Sequence, residues 1–225
     1  MKEKIVLVEN LVKSYSSKNR KVDVLKGINL FVIDGEILAI MGRSGSGKTT
    51  LLNCISALDS FDSGKVLISG VDINKLSDGK KTKFRAKNIG FIFQSYNLIP
   101  VLSSVENVEL PLLLSGKSVR EARKLAIEAL ERIEMKDYLN SKPSELSGGQ
   151  QQRVAVARAI CGKPKIIFAD EPTGNLDSKS EDIVLSTIKD LSKNDGLTFV
   201  IVTHSPKVSS FCDRIVRIED GVILD

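Results

Sequence analysis

Apolar positions fall into short runs separated by turn-forming residues, with helical stretches between some of them. Ile5-Val6-Leu7-Val8 and Ile28-Asn29-Leu30-Phe31-Val32-Ile33 predict two strands. Between them Val12–Ser17 leads into a polar loop that reaches Asp23. Asp34-Gly35 predicts a two-residue hairpin into Ile37-Leu38-Ala39-Ile40-Met41, a run suited to a buried parallel strand. Thr50–Ile55 contains neither Gly nor Pro and predicts a helix. After the turn-rich Asp59–Gly64, Lys65–Ile68 and a Gly70-Val71-Asp72 turn predict a further strand pair. Phe91-Ile92-Phe93 predicts a buried strand closed by Gln94.

Residues 95–160 have a different character and predict a helical insert between strands. The apolar stretch from Leu98 to Leu114 is broken by Pro100 and Pro111, and fits either core or a docking surface for an apolar partner. Ser118-Val119-Arg120-Glu121 reads as a capping box. Ala122, Leu125, Ala126, Ala129, Leu130 and Ile133 then lie on one helical face. Lys165–Asp170 and Leu197–Thr203 predict two more buried strands. Between them, Ser178–Glu181 caps a helix with Ile183, Val184, Leu185, Ile188 and Leu191 apolar, ending near Gly196. The chain closes on a hairpin around Asp220-Gly221.

Composition excludes several classes. The 225 residues can bury a sizeable core, and no apolar run approaches the roughly 20 residues a membrane-spanning helix needs. Met1-Lys2-Glu3-Lys4-Ile5 precedes no long apolar segment, so a signal peptide is not expected and a cytoplasmic location is. Cys54, Cys161 and Cys212 are far apart and odd in number, which predicts reduced, buried thiols. A net charge of +5 suits an anionic nucleotide or membrane face, but the scattered lysines read first as a solvated surface. No aromatic-interleaved basic stripe is present, so nucleic acid is not an expected partner.

Candidate chemistry starts at Gly42-Arg43-Ser44-Gly45-Ser46-Gly47-Lys48-Thr49, which fits G-x-x-x-x-G-K-[ST] between a strand and a helix. Loop N–H groups and the helix N-terminus would cradle phosphates. Lys48 would reach the β- and γ-phosphates, and the Thr49 hydroxyl would ligate Mg²⁺. Asp170 and Glu171 close an apolar strand, placing one carboxylate in the Mg²⁺ shell and the other where it can polarise water. Gln94 either lies on the ligand side of the sheet or merely ends its strand. His204, the chain's single histidine, ends a third strand and is expected to touch the γ-phosphate. Tyr15 reads either as structural or as an aromatic stacked on adenine. Ser147-Gly148-Gly149-Gln150 opens a helix and forms a second anion-binding N-terminus, with no lysine.

Together these residues resemble the ATP-binding subunit of an ABC transporter. Leu146-Ser147-Gly148-Gly149-Gln150 matches that family's signature, and the likeness covers essentially the whole chain. The resemblance implies an α/β fold: a P-loop NTPase (RecA-like) core with an antiparallel β subdomain and an inserted α-helical subdomain. Residues 1–94 and 161–225 would form the core and 95–160 the insert. It implies an active ATPase that uses ATP and Mg²⁺. Tyr15, Gly42, Ser44, Gly45, Ser46, Gly47, Lys48, Thr49 and Thr50 would contact nucleotide. The D-loop Asp177 would also contact nucleotide, and Ser147, Gly148, Gly149 and Gln150 would do so from a second copy packed head to tail. Thr49, Gln94 and Asp170 would serve the metal, and Glu171, His204, Lys48 and Gln94 the catalysis.

The stretches Gly90–Pro100, Glu106–Pro111 and Ala169–Asp177 are similar to the lipoprotein-release, macrolide-export and antimicrobial-peptide efflux branch. That branch implies a membrane permease subunit docked near Gln94–Leu114, at the cytoplasmic face of the membrane. A chain ending at Asp225 is not expected to carry the accessory domain of sugar importers. A cell-division-type ATPase, which regulates cell-wall enzymes through a membrane partner, shares most of these motifs. A soluble repair or translation ATPase fits less well, because the chain has neither a long coiled coil nor a second cassette.

Overall fold

A computed structural model describes residues 3–17 and 20–224. Two sheets organise the chain. The first has four strands in the order β2-β1-β4-β5: β1 (Lys4–Ser17), β2 (Arg20–Ile33), β4 (Ser63–Ile68) and β5 (Val71–Asp72), all antiparallel. The second has six strands in the order β10-β9-β3-β8-β7-β6. Its members are β3 (Ile37–Met41), β6 (Ile89–Phe93), β7 (Ile166–Asp170), β8 (Thr198–Thr203), β9 (Arg214–Glu219) and β10 (Val222–Leu224). Only β10 runs antiparallel, closing the hairpin around Asp220-Gly221.

Strand alternation divides the core. Leu38, Ile40, Ile166, Phe168, Val200 and Val202 face the antiparallel sheet and α1 (Lys48–Ile55). Ile37, Ile167, Ala169, Phe199 and Ile201 face the opposite layer, with α5 (Gly148–Ile160) and α6 (Ser178–Asp195). Into that same apolar cluster pack Val105, Val108 and Leu112 of α3 (Ser104–Leu114), and Ala122, Ala126 and Leu130 of α4 (Val119–Arg132). The remaining helices are α2 (Asp78–Asn88), for which no element was expected, and the short α7 (Pro206–Ser210).

Three local expectations are corrected. Asp34-Gly35 does not form a hairpin, because β2 and β3 belong to different sheets. The turn is real, with Gly35 at φ 76°, but a turn specifies a bend and not a pairing partner. The polar stretch before Asp23 is not a loop: Ser14 pairs with Asp23, Tyr15 with Val22 and Ser16 with Lys21 in a long β1–β2 ribbon. The tip of that expected loop, residues 18–19, lies outside the described residues. Finally, the Ser178–Glu181 cap belongs to Asp177, whose Oδ1 accepts from Ser180 N at 3.0 Å.

The proline-broken 98–114 stretch is mostly helix. Ser103 and Glu106 form a full capping box at the start of α3, whereas Ser118 supplies only one half of its expected box. Buried Asn107 binds the preceding loop, donating to the carbonyls of Ile99, Leu102 and Ser103 and accepting from Ile99 N. The expectation of core is met by part of the stretch. Val105 and Val108 are core, while Val101 and Leu114 are 75% and 79% exposed. Among the described residues, no helix is long and apolar enough to cross a membrane.

Phe199 is fully buried where β8 meets the helical layer. Phe199→Ala should lower unfolding free energy by about 3–5 kcal/mol, read from the denaturant midpoint at unchanged slope.

Candidate functional site

Parallel register places the chemistry along one edge. Met41 pairs with Thr203, Val202 with Asp170, and Asp170 with Phe93. The segments that follow these strands are therefore neighbours: Gly42–Gly47, His204, Glu171 and Gln94. Gly47 is the N-cap of α1 at φ 100°, in the left-handed region that favours glycine. Lys48 is buried and donates through Nζ to the carbonyls of Gly42 and Arg43, each at 2.9 Å. An ammonium has three N–H donors, so one remains for a ligand. Ser46 Oγ is buried without a hydrogen-bond partner. The loop is braced from outside by Gly221 N, which donates to Ser46 O at 3.2 Å.

Thr49 Oγ1 donates to Asp170 Oδ1 at 3.3 Å, so the hydroxyl and carboxylate expected to share a cation are adjacent. Burial pushes the Asp170 carboxyl above the usual aspartate range, with Glu171 adding repulsion and Thr49 and Lys48 opposing it. Glu171 follows at φ 46°, a left-handed conformation uncommon for a non-glycine residue. That twist breaks strand alternation and brings the second carboxylate to the same edge. Glu171 N donates to Val202 O at 2.9 Å and Gly174 N to Glu171 O at 3.0 Å, which hold the twist. Its carboxylate accepts from Thr203 Oγ1 and His204 N, each at 3.1 Å, and meets His204 Nδ1 at 2.6 Å. The glutamate and histidine are thus direct partners.

Other expected residues lie further out. Gln94 Nε2 donates to Asn175 Oδ1 at 3.3 Å, and Asn175 Nδ2 returns a bond to Gln94 O. No hydrogen bond among the described residues joins Gln94 to Thr49 or Asp170. Tyr15 lies within β1 and donates to Asp59 Oδ2 at 2.8 Å. Lys13 Nζ sits 4.7 Å from the Tyr15 ring centroid and also pairs with Asp59. Thr50 is in the first turn of α1, and Asp177 caps α6.

Ser147 opens α5 as a full capping box with Gln150. Gly149 is pressed onto α6, where a Cβ would come within 2.6 Å of Ser180 Oγ. Among the described residues, no hydrogen bond connects Ser147–Gln150 to Gly42–Thr49.

Sequence reading missed several supporting residues. Arg158 on α5 donates to the carbonyls of Asn97 and Tyr96, at 2.5 and 2.8 Å, and fixes the turn after Gln94. Fully buried Gln152 binds Pro172 O. Their only sequence signal was a polar side chain on an otherwise buried helix face.

Residues 25–174 match the model of the ABC transporter family. The chain belongs to that family. It is an ATP-binding subunit, an ABC-type ATPase, built as a P-loop core with antiparallel and helical parts. It is 46% identical to the lipoprotein-releasing system ATP-binding protein LolD of Geobacter metallireducens, over 96% of each chain. It is 44% identical to the macrolide export ATP-binding/permease protein MacB of Syntrophobacter fumaroxidans, over 97% of this chain but 31% of MacB. A solved structure of the ATP-binding cassette MJ0796 of Methanocaldococcus jannaschii superimposes with a TM-score of 0.90 at 45% identity, covering 98% of this chain and 97% of that one. That structure is a dimer in a post-hydrolysis state bound to ADP and Pi.

The raised Asp170 carboxyl holds its proton to higher pH when folded than when unfolded. Its contribution to stability therefore falls as pH rises above its ordinary 3.8, where the desolvated charge forms. In thermal melts across that range, Asp170→Asn should lose this decline relative to wild type.

Proposed function

We propose that this chain hydrolyses ATP as one half of a head-to-tail pair of copies, and that the pair drives a membrane permease. The observation that carries the reading is the convergence of Lys48, Ser46, Thr49, Asp170, Glu171 and His204 on one sheet edge. The phosphate loop and Lys48 would bind the β- and γ-phosphates. Tyr15 would take the adenine face, with Lys13 and Asp59 behind it. Thr49 and Asp170 fit a hard cation, being a hydroxyl and a desolvated carboxylate in contact, and Gln94 closes the neighbouring strand. When bound there, Mg²⁺ would neutralise phosphate charge.

Glu171 would accept the proton of a water as that water bonds to the γ-phosphorus. The γ-phosphorus–oxygen bond to ADP breaks, leaving ADP and phosphate. His204, already against Glu171, would orient that carboxylate and contact the γ-phosphate. Ser147, Gly148, Gly149, Gln150 and Asp177 would act on the partner copy's nucleotide. Two features support that arrangement: among the described residues no hydrogen bond joins Ser147–Gln150 to Gly42–Thr49, and the MJ0796 structure is dimeric.

The permease would bind near Gln94–Leu114, where Val101 and Leu114 are exposed, at the cytoplasmic face of a membrane. Residues 95–160 would form the helical unit that receives it. Relatives named for lipoprotein release and macrolide export support export or mechanical extrusion.

Two variants test the site. Glu171→Gln should bind ATP normally, lose turnover by on the order of 10²–10⁴-fold in phosphate release, and accumulate as an ATP-dependent dimer in size-exclusion chromatography. Rapid hydrolysis by that variant would sink the assignment. Lys48→Ala should weaken ATP binding itself, by roughly tenfold or more in calorimetry. Unchanged affinity would remove Lys48 from the phosphate site.

A further inference from the structure

Contacts around the carboxyl end of β7 close into a ring. One link is the 2.6 Å contact between Glu171 Oε1 and His204 Nδ1. The chain then runs from His204 through Ser205-Pro206 to Lys207 on α7. Lys207 Nζ reaches Glu181 Oε2 at 2.9 Å and Asp182 Oδ1 at 2.7 Å, both in the first turns of α6. Glu181 Oε1 accepts from Thr173 Oγ1 at 3.1 Å. From Thr173 the chain returns through Pro172 to Glu171.

The two covalent arcs are stiff. Each contains a proline, whose ring fixes φ. In one arc Ser205 Oγ accepts from Val208 N, and in the other buried Gln152 holds Pro172 O. The links are unequally exposed: Thr173 is buried and the Glu181 side chain is 16% exposed, whereas the side chains of Lys207 and His204 are 45% and 70% exposed. Asp182 is open to solvent and its pairing adds little by itself. Lys207 is the cation that two adjacent carboxylates share. Without it they repel, and Glu181 no longer holds Thr173 and α7 together.

We propose that Lys207 and Glu181 are positioning residues that set the separation of Glu171 and His204. The brace rests on the hydrolytic roles given above to that pair. It also joins the pair to Asp177, because Asp177 and Glu181 share the start of α6. A displacement of this helix end is therefore carried to the glutamate and histidine together. Among the described residues, neither brace residue makes a hydrogen bond or ion pair to Gly42–Thr49, so the brace acts on turnover and not on nucleotide binding.

The test compares Lys207→Met, Lys207→Arg and Glu181→Gln in the full chain, by steady-state phosphate release and thermal melting. Lys207→Met and Glu181→Gln should lower kcat roughly tenfold, with KM for ATP and the melting temperature nearly unchanged. Lys207→Arg, which keeps the charge, should retain most of kcat. A wild-type kcat in Lys207→Met would overturn the brace, as would an equal loss in Lys207→Arg. So would a loss that appears in KM or in the melting temperature instead of kcat. Glu171→Gln, measured alongside, separates the two levels. If Glu171→Gln is inactive and Lys207→Met is normal, only the brace falls. If Glu171→Gln hydrolyses ATP normally, both readings fall.

Discussion

Parallel hydrogen-bonded register between β3, β8, β7 and β6 is the constraint on which the site depends. In a parallel sheet every strand presents its carboxyl end to the same edge, and the chain must leave that edge before it can return. Four exits thus stand side by side, carrying Gly42–Gly47, His204, Glu171 and Gln94. A one-residue slip of β7 against β8 would send Asp170 and Phe168 to the wrong faces. The apolar residues below prevent that slip, since Phe168 and Phe199 fill opposite cores.

On that edge the two acids are treated differently. Asp170 is desolvated and receives one hydroxyl, so its charge is costly until a cation meets it. Glu171 is twisted out of the strand at φ 46° and is met by Thr203 and by both the backbone and the ring of His204. The first arrangement suits a metal ligand and the second suits a base held in a fixed direction. The helical layer has its own rule. α5 begins with a capping box between Ser147 and Gln150, and two of its polar side chains, buried Gln152 and half-buried Arg158, are spent on the segments after Glu171 and Gln94. The signature helix thus supports the strand exits of its own chain while its glycine-rich start lies against α6.

Membership of the ABC transporter family and the P-loop fold were legible in the sequence because both reside in contiguous residues. The Gly42–Thr49 loop, the buried strands ending at Phe93, Asp170 and Thr203, and the Gly196 helix end follow from local backbone preference and apolar spacing. What was misread shares one physical cause. Asp34-Gly35 specifies a bend, but whether the next strand pairs with the last or joins another sheet depends on burial of Ile37–Ile40. The ribbon carrying Tyr15 mixes polar residues with the exposed Tyr15 and Val22, so its strand character comes from backbone partners across the ladder and not from an apolar alternation of its own.

The amino-acid order by itself determined the chemistry available here: a lysine in a glycine loop, two carboxylates at a strand end, one histidine and a capped signature helix. Only the tertiary structure decided which of these groups touch. His204 meets Glu171, Gln94 meets Asn175, Arg158 holds the turn at Tyr96, and Lys207 reaches Glu181. Such pairings join positions far apart in the chain, and no local preference encodes them. They exist because strand register and core packing bring the side chains within hydrogen-bonding distance, where a contact of a few ångströms outweighs separation in sequence.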